Sequence, residues 1–220
     1  MGAPSIPLAN PAFAHVSLGT RAVALPERLF AAIVLSLAAP GIAAAAVLVS
    51  LLSRRSPFIA HRRVGQFGIE FWMLKLRTMW DGAPSNRAWR WIERISDAAV
   101  PVAKGCSDPR VTSRIARLCR RFSIDELPQL LHVITGRMRL VGPRPITPAE
   151  WNFYYGDNAR AVLAAAPGIT GLWQVMGRNR LTYAQRRRLD LFYVAHRSFQ
   201  LDAIILLRTP LRVLTGRDAG

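Results

Sequence analysis

From Leu29 to Leu52 the chain reads LFAAIVLSLAAPGIAAAAVLVSLL, 24 residues without a charge, and this run limits what the chain can fold into more than any other feature. As a helix it extends about 36 Å, enough to cross a hydrocarbon core of about 30 Å. Its twelve Leu, Ile, Val and Phe residues favour insertion by about 4–7 kcal/mol, which outweighs the roughly 3 kcal/mol cost of a mid-helix proline. A membrane segment is therefore preferred over a cleaved signal peptide, which would begin with basic residues, and over a buried soluble helix. Ala39-Pro40-Gly41 interrupts the run near its middle, so each half reaches only about 17 Å, roughly the bilayer midplane. Arg28 precedes the run, and Arg54, Arg55, Arg62 and Arg63 follow it. Basic flanks at both ends suit a re-entrant hairpin broken at Pro40 and Gly41, with both ends on the cytoplasmic face.

The rest of the 220-residue chain is long enough for one domain with a core. The sequence predicts a flexible segment over 1–24, the membrane hairpin over 25–55 and a compact mixed α/β, helix-rich domain over 56–215. The net charge of +17 is almost all arginine, with Lys75 and Lys104 the only lysines. Part of that excess can reflect codon usage. The remainder suits phosphate-bearing partners or an anionic bilayer, because guanidinium forks match phosphate geometry. Cys106 and Cys119 fit neither zinc nor disulfide spacing and are expected to be reduced thiols.

Phe71–Met79 is rich in strand formers and leads to the turn signal Asp81-Gly82. A helix is expected over Ser85–Ala98, carrying Trp89, Trp91 and Ile95. Val111, Ile115, Leu118 and Phe122 recur at helical spacing among arginines. Thr147…Glu150 and Thr182…Gln185 are capping boxes. Between them, Pro167–Arg178 is a constrained loop, and Leu201–Leu214 is a helix able either to lie on a membrane or to close the core.

Ser123-Ile-Asp-Glu-Leu-Pro128 places two adjacent carboxylates at a helix start, since Pro128 is tolerated only in a first turn. The bland reading is a capping box in which Ser123 and Glu126 merely start the helix. Lys75, Arg77, Arg110, Arg144 and Arg178 stand in separate strand-forming or Gly/Pro-rich segments, and each alone would be a solvated charge. Gathered around a carboxylate dyad, they would suit a diphosphate and phosphoryl transfer. Asp is a competent nucleophile toward phosphorus, and Glu is a hard oxygen ligand for magnesium.

The segments RVGQFGIEFWMLKLRTM, SDPRVTSRIARLCRRFSIDELPQLLHVITGRMRLVGPRP and PGITGLWQVMGR resemble the bacterial sugar transferases of the small monotopic phosphoglycosyl transferase family. The likeness covers roughly residues 25 to 215 and rests on several ordered motifs. It implies transfer of a phospho-sugar from a nucleotide diphosphate sugar, usually a UDP-sugar, to polyprenyl phosphate. By the same resemblance Asp125 is the covalent nucleophile and Glu126 the carboxylate associated with Mg2+. Lys75, Arg77, Arg144 and Arg178 would bind substrate phosphates or support the site, at the cytoplasmic face of the bacterial inner membrane. Two departures stand out. Gly136-Arg-Met-Arg139 replaces the family's usual Gly-Asp-Met-Ser, an expected source of weaker metal binding or altered substrate use. Ala39 also stands where a serine often precedes the family's proline.

A phosphoglycosyl transferase acting in exopolysaccharide or other glycan assembly is the reading these features favour. Its expected partners are a nucleotide diphosphate sugar, polyprenyl phosphate, an anionic bilayer and a second copy of the chain as a homodimer, with no nucleic acid. The alternatives are a membrane-tethered basic binding protein, whose binding would fall broadly with salt, and a degenerate relative inactivated by Arg137 and Arg139.

Overall fold

The computed structural model describes residues 24–79, 90–96, 113–156 and 158–215. Helix α1 (Ala24–Ser53) is one helix with Pro40 inside it. By length and composition it is able to cross a membrane, as expected. The two half-helices anticipated on either side of Pro40 are thus a single element. One reason is packing that continues past the proline: Ala31 and Leu35 before it, and Ile42, Ala46 and Val49 after it, face the rest of the protein. The small alanines on this face allow a close approach. Leu29, Phe30, Ile33, Leu37, Val47 and Leu51 form the opposite, exposed face, an apolar surface of the kind that meets lipid.

Strands β1 (Phe58–Val64) and β2 (Glu70–Leu76) form an antiparallel hairpin in register Phe58↔Leu76 to Val64↔Glu70. The turn between them uses the left-handed conformation at Phe67 and Gly68. Strand β3 (Ile92–Ile95) joins β1 in parallel, giving the order β2-β1-β3. This corrects the helix expected over Ser85–Ala98, whose remaining residues mostly lie outside those described. The IERI sequence has β-branched ends and alternates in exposure, the pattern of a strand on a half-open surface.

Helix α2 (Arg114–Arg121) starts where Ser113 accepts from the Ala116 N–H. A 3-10 segment (Ile124–Gln129) and helix α3 (Leu130–Ile134) follow, then strand β4 (Arg139–Val141). Helix α4 (Pro148–Glu150) opens on the expected Thr147/Glu150 capping box and runs into a π-turn over Trp151–Tyr155. After helix α5 (Asn158–Leu163) comes strand β5 (Gly168–Thr170), parallel to β4. Helices α6 (Leu172–Met176), α7 (Tyr183–Ala195) and α8 (Phe199–Thr215) follow, α7 starting on its own capping box.

Hydrophobic burial fixes how these elements meet. One cluster joins Ala31 of α1 to Phe71 and Met73 of β2 and to Leu130 and Val133 of α3. A second joins Ala46 and Val49 of α1 to Leu76 of β2 and to Ala116 and Cys119 of α2. Both ends of α1 therefore pack on the same domain. Of the two roles left open for the tail helix, it closes the core: Ile205 is fully buried with Val141, Val175 and Tyr193, while Leu207, Leu211 and Leu214 stay exposed.

The segment expected as a constrained loop, Pro167–Arg178, instead forms β5 and α6, and β5 lies against β4 with little room. A Cβ on Gly168 would run into Gly142 N and Val141 C, and one on Gly142 would lie 2.5 Å from Ala166 O. These obstacles are backbone and cannot swing aside. Gly168→Ala should therefore destabilise the fold by about 3 kcal/mol, a drop of roughly 6–12 °C in Tm for a chain of this size, read by thermal unfolding in detergent.

Candidate active site

The dyad sits in a backbone reversal. Ser123 adopts a left-handed conformation (φ 54°) between α2 and the 3-10 segment, and Arg178 does the same (φ 48°) after α6. These two strained residues are joined, with Arg178 Nη2 donating to Ser123 Oγ at 2.8 Å. Left-handed non-glycine residues cost free energy and concentrate where geometry serves function. Ser123 makes no cap bond, so the capping-box reading of this segment does not hold.

Glu126 instead accepts from Lys75 Nζ at 2.8 Å. Strand β2 thus delivers Lys75 across the dyad, and α3 keeps it there: His132 Nε2 accepts the N–H of Leu74 at 3.0 Å, and its ring packs edge-on against Phe71. Burial, helped by the charge on Arg137, pushes the His132 pKa down to about 4. The imidazole is therefore neutral and free to accept near pH 7.

The two acids diverge in acidity. Burial raises the pKa of Asp125 above the usual carboxylate range, and the neighbouring charge of Glu126 adds to this against the opposing pull of Lys75 and Arg120. Burial acts on Glu126 in the same direction, but Lys75, by charge and hydrogen bond, and then Arg178 and Arg144 overcome it and hold Glu126 below its ordinary value. Paired carboxyls driven apart in this way can take different roles. Among the described residues no group of three or more His, Cys, Asp and Glu side chains is placed to hold a metal.

Of the basic residues expected here, Lys75, Arg144 and Arg178 converge on Glu126. Arg77 is buried and engaged by the protein, donating from Nε to the Ser56 carbonyl at 2.7 Å and from Nη2 to Glu93. Its place is to tie the end of β2 to β3, a supporting role. Arg110 lies outside the described residues. Arg139, expected to disturb the metal, is paired elsewhere: its Nε donates to Glu27 Oε2 at 3.1 Å, and Glu27 also accepts the N–H of Leu140. Arg137 is exposed.

Some residues beside the site were not anticipated. Asp190 on α7 is fully buried, accepts from Tyr155 Oη at 2.9 Å and takes the main-chain N–H of Arg144. Burial pushes its pKa up to about 7, against the lowering effect of these hydrogen bonds and of the Arg144 and Arg186 charges. Tyr193 Oη donates to Asp202 at 2.7 Å, close to the Val141 carbonyl. A lone acid inside the basic stretch Arg186-Arg-Arg-Leu-Asp190 was the one available sequence sign of the first of these anchors. His132 offered none.

The family model for bacterial sugar transferases matches residues 21–216. The chain is 38% identical over 184 residues to the exopolysaccharide production protein ExoY of Sinorhizobium fredii, covering 78% of this chain and 76% of that protein. It is 37% identical over 199 residues to the UDP-glucose:undecaprenyl-phosphate glucose-1-phosphate transferase of Caulobacter vibrioides, covering 86% and 68%. With the undecaprenyl-phosphate galactose phosphotransferase of Salmonella typhimurium it shares 39% identity over 166 residues, 73% of this chain but 33% of that longer protein. A match over nearly the whole chain, spanning the dyad and every basic motif gathered around it, makes this protein a member of the bacterial sugar transferase family.

Proposed function

We propose that the protein transfers a sugar 1-phosphate from a UDP-sugar to undecaprenyl phosphate through a phospho-sugar held covalently on Asp125. The observation that carries this reading is the dyad of divergent acidity, with Lys75, Arg144 and Arg178 gathered around Glu126. The names of the Caulobacter and Salmonella relatives support the acceptor. In the first step an Asp125 carboxylate oxygen bonds to the phosphorus that carries the sugar. The bond from that phosphorus to the bridging oxygen breaks, and its electron pair leaves with uridine monophosphate. In the second step an oxygen of undecaprenyl phosphate attacks the same phosphorus, the acyl–phosphate bond breaks and the carboxylate is restored. The surrounding cations stabilise charge that grows on the phosphoryl oxygens.

Magnesium suits this site, because it keeps several waters and takes one or two carboxylates together with substrate phosphates. Glu126 would hold it beside the nucleophile Asp125, and it would supply further neutralisation of the diphosphate. Incubation of the protein with UDP-glucose or UDP-galactose, undecaprenyl phosphate and magnesium should release uridine monophosphate. Without acceptor, the protein should gain the mass of a phospho-sugar. Absence of both signals across a panel of UDP-sugars would overturn the proposal.

The helix α1 is read as re-entrant, dipping into the inner membrane from the cytoplasmic side and returning to it. Support comes from its two ends, near Glu27 and near Val49, packing on one domain, since a straight span would carry them to opposite faces. A cysteine placed near Ser5, with Cys106 and Cys119 replaced, should resist labelling from outside intact cells. Substituting Pro40 and Gly41 with Leu should make it reactive. Labelling of the parent protein would mean a true span.

A further inference from the structure

Beyond the dyad, one set of side chains forms a continuous column. The Tyr154 and Tyr183 rings stack in parallel at 3.9 Å. The Arg186 guanidinium lies 5.2 Å from the Tyr183 ring and 5.0 Å from the Trp173 ring, and Arg144 lies 5.3 Å from that same indole. Two cations share one aromatic ring. Burial and the neighbouring Arg144 charge both work against the charge on Arg186.

Three buried donors in this column, Arg144 Nε, Arg186 Nε and Trp173 Nε1, have no acceptor. Each such group costs about 1–3 kcal/mol, so three in one stack represent a binding capacity that the protein itself does not use. The nearby acids are engaged: Glu150 accepts the Thr147 N–H in its capping box, and Asp190 accepts from Tyr155. The column also connects to the dyad. Arg186 Nη2 lies 3.4 Å from the Arg178 carbonyl, and Arg178 holds Ser123, two residues before Asp125.

We propose that Arg186 and Trp173, together with Arg144, form the subsite for the leaving phosphate of the nucleoside diphosphate donor. This rests on the transferase reading above and extends it to Arg186 and Trp173, which that reading does not use. The phosphate attacked by Asp125 lies beside Lys75, and the second phosphate of the same diphosphate falls one step outward, on the two guanidiniums and the indole N–H. Paired guanidinium donors match phosphate oxygens, and a dianion also relieves the repulsion between the two arginines.

Two measurements on the full chain in detergent test this. In calorimetry with UDP and magnesium, without acceptor, Arg186→Gln should weaken binding about 10- to 100-fold, as expected for a charge-assisted contact. Trp173→Phe, which keeps the ring and removes the N–H, should weaken it about 5-fold or more. Equal affinity in Arg186→Gln, or no UDP binding by the unmodified protein, overturns the subsite.

In turnover, the double-displacement scheme separates the half-reactions. Arg186→Gln should lower kcat/KM for the UDP-sugar by the same 10- to 100-fold and leave kcat/KM for undecaprenyl phosphate unchanged. A merely structural role would lower both together, and that result also overturns the subsite. UDP binding requires no turnover, so the subsite and the transferase reading fail by different experiments.

Discussion

Asp125→Asn is expected to reduce turnover by at least about 10³-fold, because the amide is no nucleophile toward phosphorus and no neighbouring group replaces it. The same change should leave Tm unaltered or slightly raised. Burial together with the Glu126 charge disfavours the ionised form of Asp125, so removing that charge relieves a cost. Mass spectrometry of the variant incubated with UDP-sugar alone should show no added phospho-sugar. Normal turnover by this variant would remove Asp125 from the chemistry. A loss of activity accompanied by a large fall in Tm would instead point to a structural role.

The second large effect is expected at Lys75. Lys75→Met removes the hydrogen-bonded cation from Glu126 and leaves a partly buried carboxylate with only the more distant arginines to compensate it. A fall of about 10²–10³-fold in kcat is expected, the usual range for losing one preorganised electrostatic group. Glu126→Gln should lose a comparable amount and raise the magnesium concentration needed for half-maximal rate. Since the two side chains act as a pair, the double variant should be little worse than either single one, a non-additivity that a double-mutant cycle measures directly. Full additivity would mean that Lys75 and Glu126 serve the reaction separately.

The parts of this protein legible in its sequence were those set by local rules. Thr147/Glu150 and Thr182/Gln185 start helices because the capping bonds lie within one turn. The strand around Phe71 and the basic helix before Ser123 followed from composition and spacing. The dyad and Lys75, Arg144 and Arg178 were marked by motifs, and the structure gathers them. Long-range packing escaped: β3 exists because β1 offers it a partner edge, and Arg77 is held by Ser56 and Glu93 from two other segments. Ser123…Glu126 had the spacing of a capping box, yet Lys75, 51 residues away in sequence, takes the Glu126 carboxylate. No pattern in sequence reported that the charges of Arg139 and Glu27 would meet across 112 positions.

That last pair bears on modularity. Glu27 lies in the first turn of the apolar helix, and its carboxylate serves both Arg139 and the Leu140 main chain at the base of the β4–β5 ladder. Further along, the helix supplies Ala31 to the wall behind Phe71 and Val49 to the wall behind Leu76, on the strand that carries Lys75. The helix is therefore not a detachable anchor added to a soluble catalytic unit. Removing it would strip two hydrophobic clusters and unpair a partly buried arginine, and exchanging it for another protein's membrane segment would require matching small residues at 31 and 46 and an acid at 27. In this protein the apolar helix and the strand that carries Lys75 are built on shared walls, so neither can be exchanged without the other.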